Sequence, residues 1–283
     1  MKSDLKADAS LLLITLFWGA SYPLMSIVVK DIPPFSFLVI RYFISGIILG
    51  LFCIKKLNKI NKQTVIAALF VGGTLGVGCS FQLSGLLYTT PSKSGFITGL
   101  SVVFVPIYLA VIHKKLPSKK TTIGAVLALA GLWLISMKQG SMNINLGDIL
   151  TLLCAAVFAL QIMAVDKFAK NVDIMLLTCL EMFVIGILAI PPAIVVDKFN
   201  ISISYFTVFA MAFMIFFGTI AAHSIQNKMQ PFTDPAHAAI IYLAEPVFGG
   251  IFSVLIGDIL SGQALLGCLL IFIAMMGTVH YSD

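Results

Sequence analysis

The chain has 283 residues, of which 59% are apolar and only 11% are charged, and its mean hydropathy is +1.05. Soluble domains carry about 25% charged residues, so this composition excludes an ordinary soluble protein and indicates an integral membrane protein. The net charge of +6 therefore indicates lysines kept on one side of a bilayer and not nucleic-acid binding. The five cysteines are scattered without paired spacing, which predicts neither disulfides nor a metal site.

Apolar segments long enough to cross a bilayer follow one another along the whole chain, since about 20 residues span the hydrocarbon. We predict an all-α integral membrane protein with ten transmembrane helices. The first segment is too long for a signal peptide and contains Trp18, Tyr22 and Pro23, so we expect a retained helix. The ten predicted spans are approximately 9–29, 35–54, 64–87, 88–116, 121–137, 147–165, 173–196, 205–227, 236–257 and 262–281.

The lysines predict how these helices are oriented. With the N-terminus inside the cell, thirteen lysines face the cytoplasm, including the basic loops at 55–62 and 114–120, and four face outside. Membrane proteins keep Lys and Arg in their cytoplasmic loops. We therefore expect a multi-pass protein of the cell membrane with both termini in the cytoplasm.

The two halves of the chain, residues 1–140 and 141–283, repeat one plan. Two nearly constant shifts, of 144 and 140 positions, align identical residues in most of both halves. Each half holds five predicted helices, an odd number, so the second half enters the membrane from the opposite side. This predicts two inverted five-helix repeats, an architecture typical of secondary transporters. The aligned pairs include Gln82 and Gln226, Thr89 and Thr233, Pro91 and Pro235, Phe43 and Phe183, and Gly46 and Gly186.

Four segments together resemble the drug/metabolite transporter superfamily, specifically its EamA-type members, over essentially the whole chain. They are LFWGASYP at 16–23, RYF at 41–43, SGFITGLSVVFVP at 94–106 and EPVFGGIFSVLIGD at 245–258. The resemblance implies a basket of ten helices around a central cavity lined by spans one, three, four, six, eight and nine. It also implies export of small metabolites, often amino acids. Two residues depart from the family pattern: Asp258 replaces a usual glutamate, and Glu181 replaces a usual uncharged polar residue.

Polar and aromatic residues inside the spans are the candidates for substrate binding. A charged group in the membrane costs about 2.5–3.5 kcal/mol or more, so it faces a cavity or a partner. For the aromatic pair Trp18 and Tyr22, an interfacial belt is the alternative. For the two glutamines, hydrogen bonds between helices are the alternative. The predicted substrate-binding residues are Trp18, Tyr22, Gln82, Lys93, Thr98, His223, Gln226, His237, Tyr242 and Glu245.

Lys93 and His237 occupy equivalent positions near the starts of spans four and nine. Because the halves are inverted, we expect Lys93 at the outer mouth and His237 at the inner mouth. Helix N-termini favour anionic groups, so both residues could hold a carboxylate. Snorkelling of Lys93 to the interface and solvation of His237 are the alternatives.

Five further residues have open roles. Glu245 could couple transport to protons or pair with a cationic substrate, or it could bond backbone freed by Pro246. Pro106 and Pro246 are candidate hinges in spans four and nine. The repeat places Arg41 and Glu181 toward opposite sides of the membrane, so we expect no ion pair between them.

The sequence predicts a secondary transporter, an exporter of small metabolites that works by alternating access through a central cavity. Its expected partners are a small-molecule substrate, the lipid bilayer and protons as a coupling ion, with no nucleic acid and no cofactor. An intramembrane enzyme or a channel-like protein is the alternative. The sequence has no HExxH, P-loop or nucleophile–base motif, so we expect no catalytic residues.

The predicted topology can be tested by labelling single cysteines introduced into the loops. Residues 55–62 and 114–120 should react only from the cytoplasmic side, and residues 139–146 only from outside. A cytoplasmic location of 139–146 would disprove the ten-helix inverted arrangement.

Overall fold

The computed structural model describes residues 5–89, 91–136, 144–197, 201, 203–255 and 261–278, and every regular element in these ranges is a helix. Polar side chains cap several helix starts by accepting backbone N–H groups, among them Asn145, Asp173 and Ser204. The α-helices are α1 (Leu5–Asp31), α2 (Pro34–Phe52), α3 (Lys62–Leu86), α4 (Pro91–Gly99), α5 (Ser101–His113), α6 (Lys119–Ser136), α7 (Leu146–Phe168), α8 (Ile174–Pro192), α9 (Tyr205–Ile215), α10 (Ala222–Met229), α11 (Pro235–Tyr242), α12 (Ala244–Leu255) and α13 (Gly262–Thr278).

Eight helical stretches in the described part of the chain are long and apolar enough to cross a membrane, with mean hydropathy between 1.2 and 2.3. Large apolar side chains cover the outside of the bundle, as at Val111 and Phe209, which are 72% and 62% exposed. Such a surface is stable against lipid but not against water. The eight stretches are Leu5–Met25, Pro34–Phe52, Lys62–Leu86, Ser94–His113, Leu146–Asn171, Ile174–Asp197, Tyr205–Phe232 and Pro235–Phe252.

The prediction of an all-helical membrane protein is confirmed, whereas the count of ten spans stays a prediction. The predicted fifth and tenth spans correspond to α6 and α13, which are not among the eight stretches. These two helices pack closely on each other through Gly131 and Gly267, each of which lies against the carbonyl oxygen of the other.

Several of these long helical stretches are interrupted between their ends. Leu100 separates α4 from α5, and Leu243 separates α11 from α12. The 144-residue shift aligns these two breaks to within one position. A π-helical segment, Phe216–Ala221, joins α9 to α10. A π turn contains one extra residue, so it rotates the helix that follows and leaves carbonyl groups available to side chains.

Side-chain contacts tie the helix termini together at the two ends of the bundle. At the end that contains the basic loop 55–62, Lys56 forms an ion pair with Asp173 at 2.8 Å. At the opposite end, Asp197 accepts a hydrogen bond from the backbone N–H of Ser36, and Asp31 accepts one from Thr207. These contacts join α2 to α8 and α1 to α9. They require α2 and α8 to run in opposite directions.

Contacts between the two halves occur in reciprocal pairs. A Cβ atom built on Gly46 would lie 3.0 Å from the ring of Phe183, and one built on Gly186 would lie 2.8 Å from the ring of Phe43. The 140-residue shift exchanges these two contacts with each other. Glycine at both positions therefore lets an aromatic ring from the facing helix approach the backbone.

A second reciprocal pair lies at the helix ends. Thr233 donates a hydrogen bond to Asp8 at 2.7 Å, and Thr89 donates one to Asp148 at 2.7 Å. The first contact joins the start of α1 to the segment before α11. The second joins the start of α7 to the segment before α4. The same two sequence shifts relate these contacts, although they lie at opposite ends of the bundle.

The apolar core consists of two large clusters. One is built mainly from α1, α5, α6, α11 and α13, and includes Trp18 and Tyr242 at its edge. The other is built mainly from α2, α8 and α9, and includes Tyr42. Polar side chains of α8 and α10 lie where the two clusters meet, because His223 is close to both Trp18 and Tyr42.

The packing of α6 on α13 should not tolerate a side chain at its glycines. A Cβ atom on Gly131 would lie 2.5 Å from the carbonyl oxygen of Gly267, which is backbone and cannot move aside. We expect Gly131→Ala to cost about 1–3 kcal/mol. Thermal unfolding in detergent should show a lower midpoint temperature.

The control is Gly277→Ala in α13, where a new Cβ atom would meet no atom within 4 Å. Alanine favours helix over glycine by up to about 1 kcal/mol, so this variant should unfold at the same or a higher temperature. Equal midpoint temperatures for Gly131→Ala and the unmodified chain would contradict the close approach of α6 and α13.

Candidate functional site

One face of α10 carries the polar groups of the candidate site. His223, Gln226 and Asn227 of α10 and Gln230, the residue directly after this helix, follow one another at positions i, i+3, i+4 and i+7, so they point to one side. All four are buried, with exposures of 4% or less. Hydrogen-bonding side chains that point toward the bundle interior must find partners there.

Glu181 of α8 is the acidic member of this site, and its side chain is fully buried. Asn227 Nδ2 donates to Glu181 Oε2 at 2.7 Å and to Thr178 Oγ1 at 3.0 Å. His223 Nδ1 lies 3.7 Å from Glu181 Oε1. Thr178 and Glu181 are three residues apart on α8, so one face of α8 meets the polar face of α10.

A chain of amide groups extends from α10 toward α7 and α11. Gln226 Nε2 donates to Gln230 Oε1 at 3.1 Å and to Gln161 Oε1 of α7 at 3.4 Å. The hydroxyl of Tyr242 also donates to Gln230 Oε1, at 2.8 Å. Gln230 Nε2 in turn donates to the carbonyl of Ile162 at 2.6 Å. The network therefore links three helices through neutral groups.

Aromatic rings from α1 and α2 lie close to the imidazole of His223. The rings of Trp18 and Tyr42 lie 5.8 Å and 6.4 Å from it, centroid to centroid. Trp18 also packs edge-on against Tyr242 at 5.6 Å. Trp18 therefore lies inside the bundle, at the contact between α1, α10 and α11, and not in an interfacial belt.

Arg41 of α2 is held by the π-helical segment. Its Nε donates to Thr219 Oγ1 at 2.6 Å, and its Nη2 donates to the carbonyl of Gly218 at 3.0 Å. Trp18 Nε1 donates to the same carbonyl at 3.1 Å. A Cβ atom on residue 218 would lie 3.2 Å from Arg41 Nη2, so glycine leaves room for the guanidinium. Arg41 is thus bound to α9–α10 and not to Glu181.

Two of the predicted residues lie together outside this cluster. Gln82 Nε2 of α3 approaches Thr98 Oγ1 of α4 at 3.5 Å, a long hydrogen bond between half-buried side chains.

Glu245 is half-buried in the first turn of α12, and its carbonyl oxygen would lie 2.9 Å from a Cβ atom on Gly19. The glycine of the 16–23 motif therefore lets α1 pack closely on α12.

His237 is buried among partners at one end of the bundle. Its Nδ1 lies 2.8 Å from Thr278 Oγ1. Its Nε2 lies 3.3 Å from Asp8 Oδ2, at an angle too bent for a regular hydrogen bond. His237 thus joins the Asp8–Thr233 contact and links α1, α11 and α13. Its equivalent, Lys93, lies in α4, and Tyr22 lies in α1, but both side chains fall outside the described part of the structure.

The two candidate hinge prolines have different surroundings. Pro246 is in the first turn of α12, directly after the break at Leu243, where a missing N–H removes no helical hydrogen bond. Pro106 is buried inside α5, six residues after the break at Leu100. The interruption at Leu100 between α4 and α5 therefore does not lie at the proline.

Sequence reasoning identified His223, Gln226, Tyr242 and Trp18, which the structure brings together. It did not identify Asn227 and Gln230, although the i, i+3, i+4, i+7 spacing of polar residues from His223 onward was visible. The site also draws on spans two and seven through Tyr42 and Glu181, which the family resemblance did not imply.

The chain matches known proteins over nearly all its length. The model of the EamA-like transporter family matches residues 5–137 and 145–279. The chain belongs to the EamA-like transporter family. The resemblance drawn from the four sequence segments is therefore confirmed, and the protein is a multi-pass membrane transporter.

Individual relatives are similar over most of their length. An uncharacterized transporter of Archaeoglobus fulgidus is 31% identical over 96% of this chain and 85% of that protein. The Bacillus subtilis uncharacterized transporter YwfM is 22% identical over 94% and 90%. A solved crystal structure aligns with a TM-score of 0.84 over 97% of this chain and 96% of that chain, at 17% identity. This last likeness shows the shared fold.

The central polar contact can be tested by removing its amide. Replacing Asn227 with alanine leaves the buried Glu181 Oε2 without its donor. The loss of a hydrogen bond to a buried charged group costs about 1–3 kcal/mol. We expect Asn227→Ala to lower the midpoint temperature of unfolding in detergent. Asn171→Ala, at an exposed asparagine, is the matched control and should leave it unchanged. Equal effects of the two variants would contradict the contact.

Proposed function

We propose that the protein is a secondary transporter that exports small metabolites, such as amino acids or related compounds, by alternating access. The observation that carries this proposal is the buried polar cluster between α8 and α10, enclosed by aromatic rings inside a lipid-facing bundle. This cluster lies between the two reciprocal end contacts, Thr233 with Asp8 and Thr89 with Asp148. Substrate sites of transporters built from inverted repeats lie near the middle of the membrane.

We further propose ten transmembrane helices arranged as two inverted repeats, residues 1–140 and 141–283. The reciprocal contacts of Gly46 with Phe183 and Gly186 with Phe43 support this arrangement. The family model also matches each half separately. The lysine distribution supports cytoplasmic termini and a location in the cell membrane.

The reciprocal end contacts supply a means of alternating access. Asp8 and Thr233 join α1 to the segment before α11 at one end of the bundle, and Asp148 and Thr89 join α7 to the segment before α4 at the other, with hydrogen bonds of 2.7 Å. Breaking one of these contacts while the other persists would open the bundle from one end at a time. Coupling of this movement to protons is part of the proposal.

Flux measurements with purified protein in liposomes test the carrier function. A labelled amino acid from a screened panel should enter preloaded liposomes by counterflow and with saturation. Linear flux without counterflow would show a channel, and chemical conversion of the solute would show an enzyme.

The two tryptophans of the chain provide a matched pair of variants. Trp18 lies in the site, whereas Trp133 of α6 is 44% exposed on the outside. We expect Trp18→Leu to lower counterflow about tenfold or more, because an aromatic side chain in contact with a ligand contributes about 2 kcal/mol. Trp133→Leu should transport normally. Equal transport by the two variants would show that Trp18 and its surroundings do not lie on the transport path.

A further inference from the structure

Four buried side-chain atoms of the central cluster have no hydrogen-bond partner in the described part of the structure. Three of them, Glu181 Oε1, His223 Nδ1 and Asn227 Oδ1, belong to residues in contact with one another, and the fourth, Gln226 Oε1, is on the same face of α10. A buried polar atom without a partner costs about 1–3 kcal/mol, and more for a charged group. Three such atoms in mutually contacting residues therefore mark a place where the protein itself does not complete the hydrogen bonding.

All three atoms can act as acceptors. A carboxylate accepts only, and Asn227 presents Oδ1 because its Nδ2 is fixed by donating to Glu181 Oε2 at 2.7 Å and Thr178 at 3.0 Å. His223 Nδ1 lies 3.7 Å from Glu181 Oε1, too far for a hydrogen bond between them, and it accepts in the tautomer that carries the proton on Nε2.

An ionised Glu181 calls for a cation beside it. The Glu181 side chain is 0% exposed, and its hydrogen bonds come from a neutral amide. The nearby cation, Arg41, donates instead to Thr219 and to the carbonyl of Gly218. A buried carboxylate without a positive partner is expensive in a membrane.

A primary ammonium group matches these requirements. It carries one positive charge and three N–H donors, one for each of the unpartnered atoms of Glu181, His223 and Asn227. A proton supplies a single donor, and a quaternary ammonium supplies none. The rings of Trp18 and Tyr42 beside His223 add aromatic faces, which attract cations.

We propose that Glu181, His223 and Asn227 bind the primary ammonium group of the transported molecule. This inference rests on the proposed transport function and specifies the class of substrate. It gives Glu181 a role in substrate binding that depends on its negative charge, which a neutral residue at this position could not fulfil.

Thermal unfolding of the purified protein in detergent tests this assignment. The probes are butylammonium chloride, tetramethylammonium chloride and sodium chloride at equal ionic strength and pH. We expect butylammonium to raise the midpoint temperature over sodium chloride, and tetramethylammonium to have no effect.

Glu181→Gln keeps the shape of the side chain and an acceptor for Asn227 but removes the charge. It should weaken the apparent affinity for butylammonium about tenfold or more. Asp166→Asn is the matched control, because this carboxylate pairs with Lys170 on the surface at 2.8 Å. It should respond to butylammonium as the unmodified chain does.

Stabilisation by both ammonium salts, or by neither, would overturn the proposal, and so would an unchanged butylammonium response in Glu181→Gln. If that variant does not fold, the comparison of the two salts on the unmodified chain still decides. A missing butylammonium response together with a pH-dependent unfolding temperature that Glu181→Gln abolishes would assign the site to a proton and overturn the ammonium assignment.

The outcome is separable from the test of transport. Counterflow of other solutes without ammonium selectivity would remove this inference and leave the carrier intact. Ammonium selectivity without counterflow of any solute would support the binding site and remove the carrier function.

Discussion

The free-energy cost of polar groups inside a lipid-surrounded bundle is the constraint on which the centre of this structure depends. Glu181 and Asn227 are fully buried and hydrogen-bonded to each other, which fixes how α8 meets α10. Arg41 is bound to the carbonyl of Gly218, which fixes how α2 meets the π-helical segment. Because these groups cannot be satisfied by lipid, each restricts the rotation of its helix and brings the polar faces together.

Close approach of backbones supplies the complementary constraint. Where polar partners are missing, glycines let helices touch directly, as Gly131 and Gly267 do between α6 and α13. Van der Waals contact is the main attraction between apolar helices in a membrane, so small residues there contribute more than large ones. Such contacts hold the scaffold, whereas polar contacts such as Thr233 to Asp8 join the helix ends.

Part of the candidate site could be predicted from the sequence. His223, Gln226 and Trp18 were visible because polar and aromatic residues are conspicuous in apolar segments. Glu181 was visible as a charge, but its partner Asn227 was not, because the two residues lie 46 positions apart in the chain. His237 was expected at the inner mouth of the path; it lies at one end of the bundle, buried against Asp8 and Thr278. Its environment depends on the end of α13, which no local pattern relates to α1.

The sequence by itself determined the class of protein and the family, because segment lengths and motif order are properties of the linear chain. Only the tertiary structure decided which polar groups meet. The π-helical segment Phe216–Ala221 rotates α10 relative to α9, so a regular helical periodicity carried through span eight assigns the wrong face. The grouping of Glu181, His223 and Asn227 depends on that rotation and on the packing of α8 against α10, and neither is encoded in local spacing.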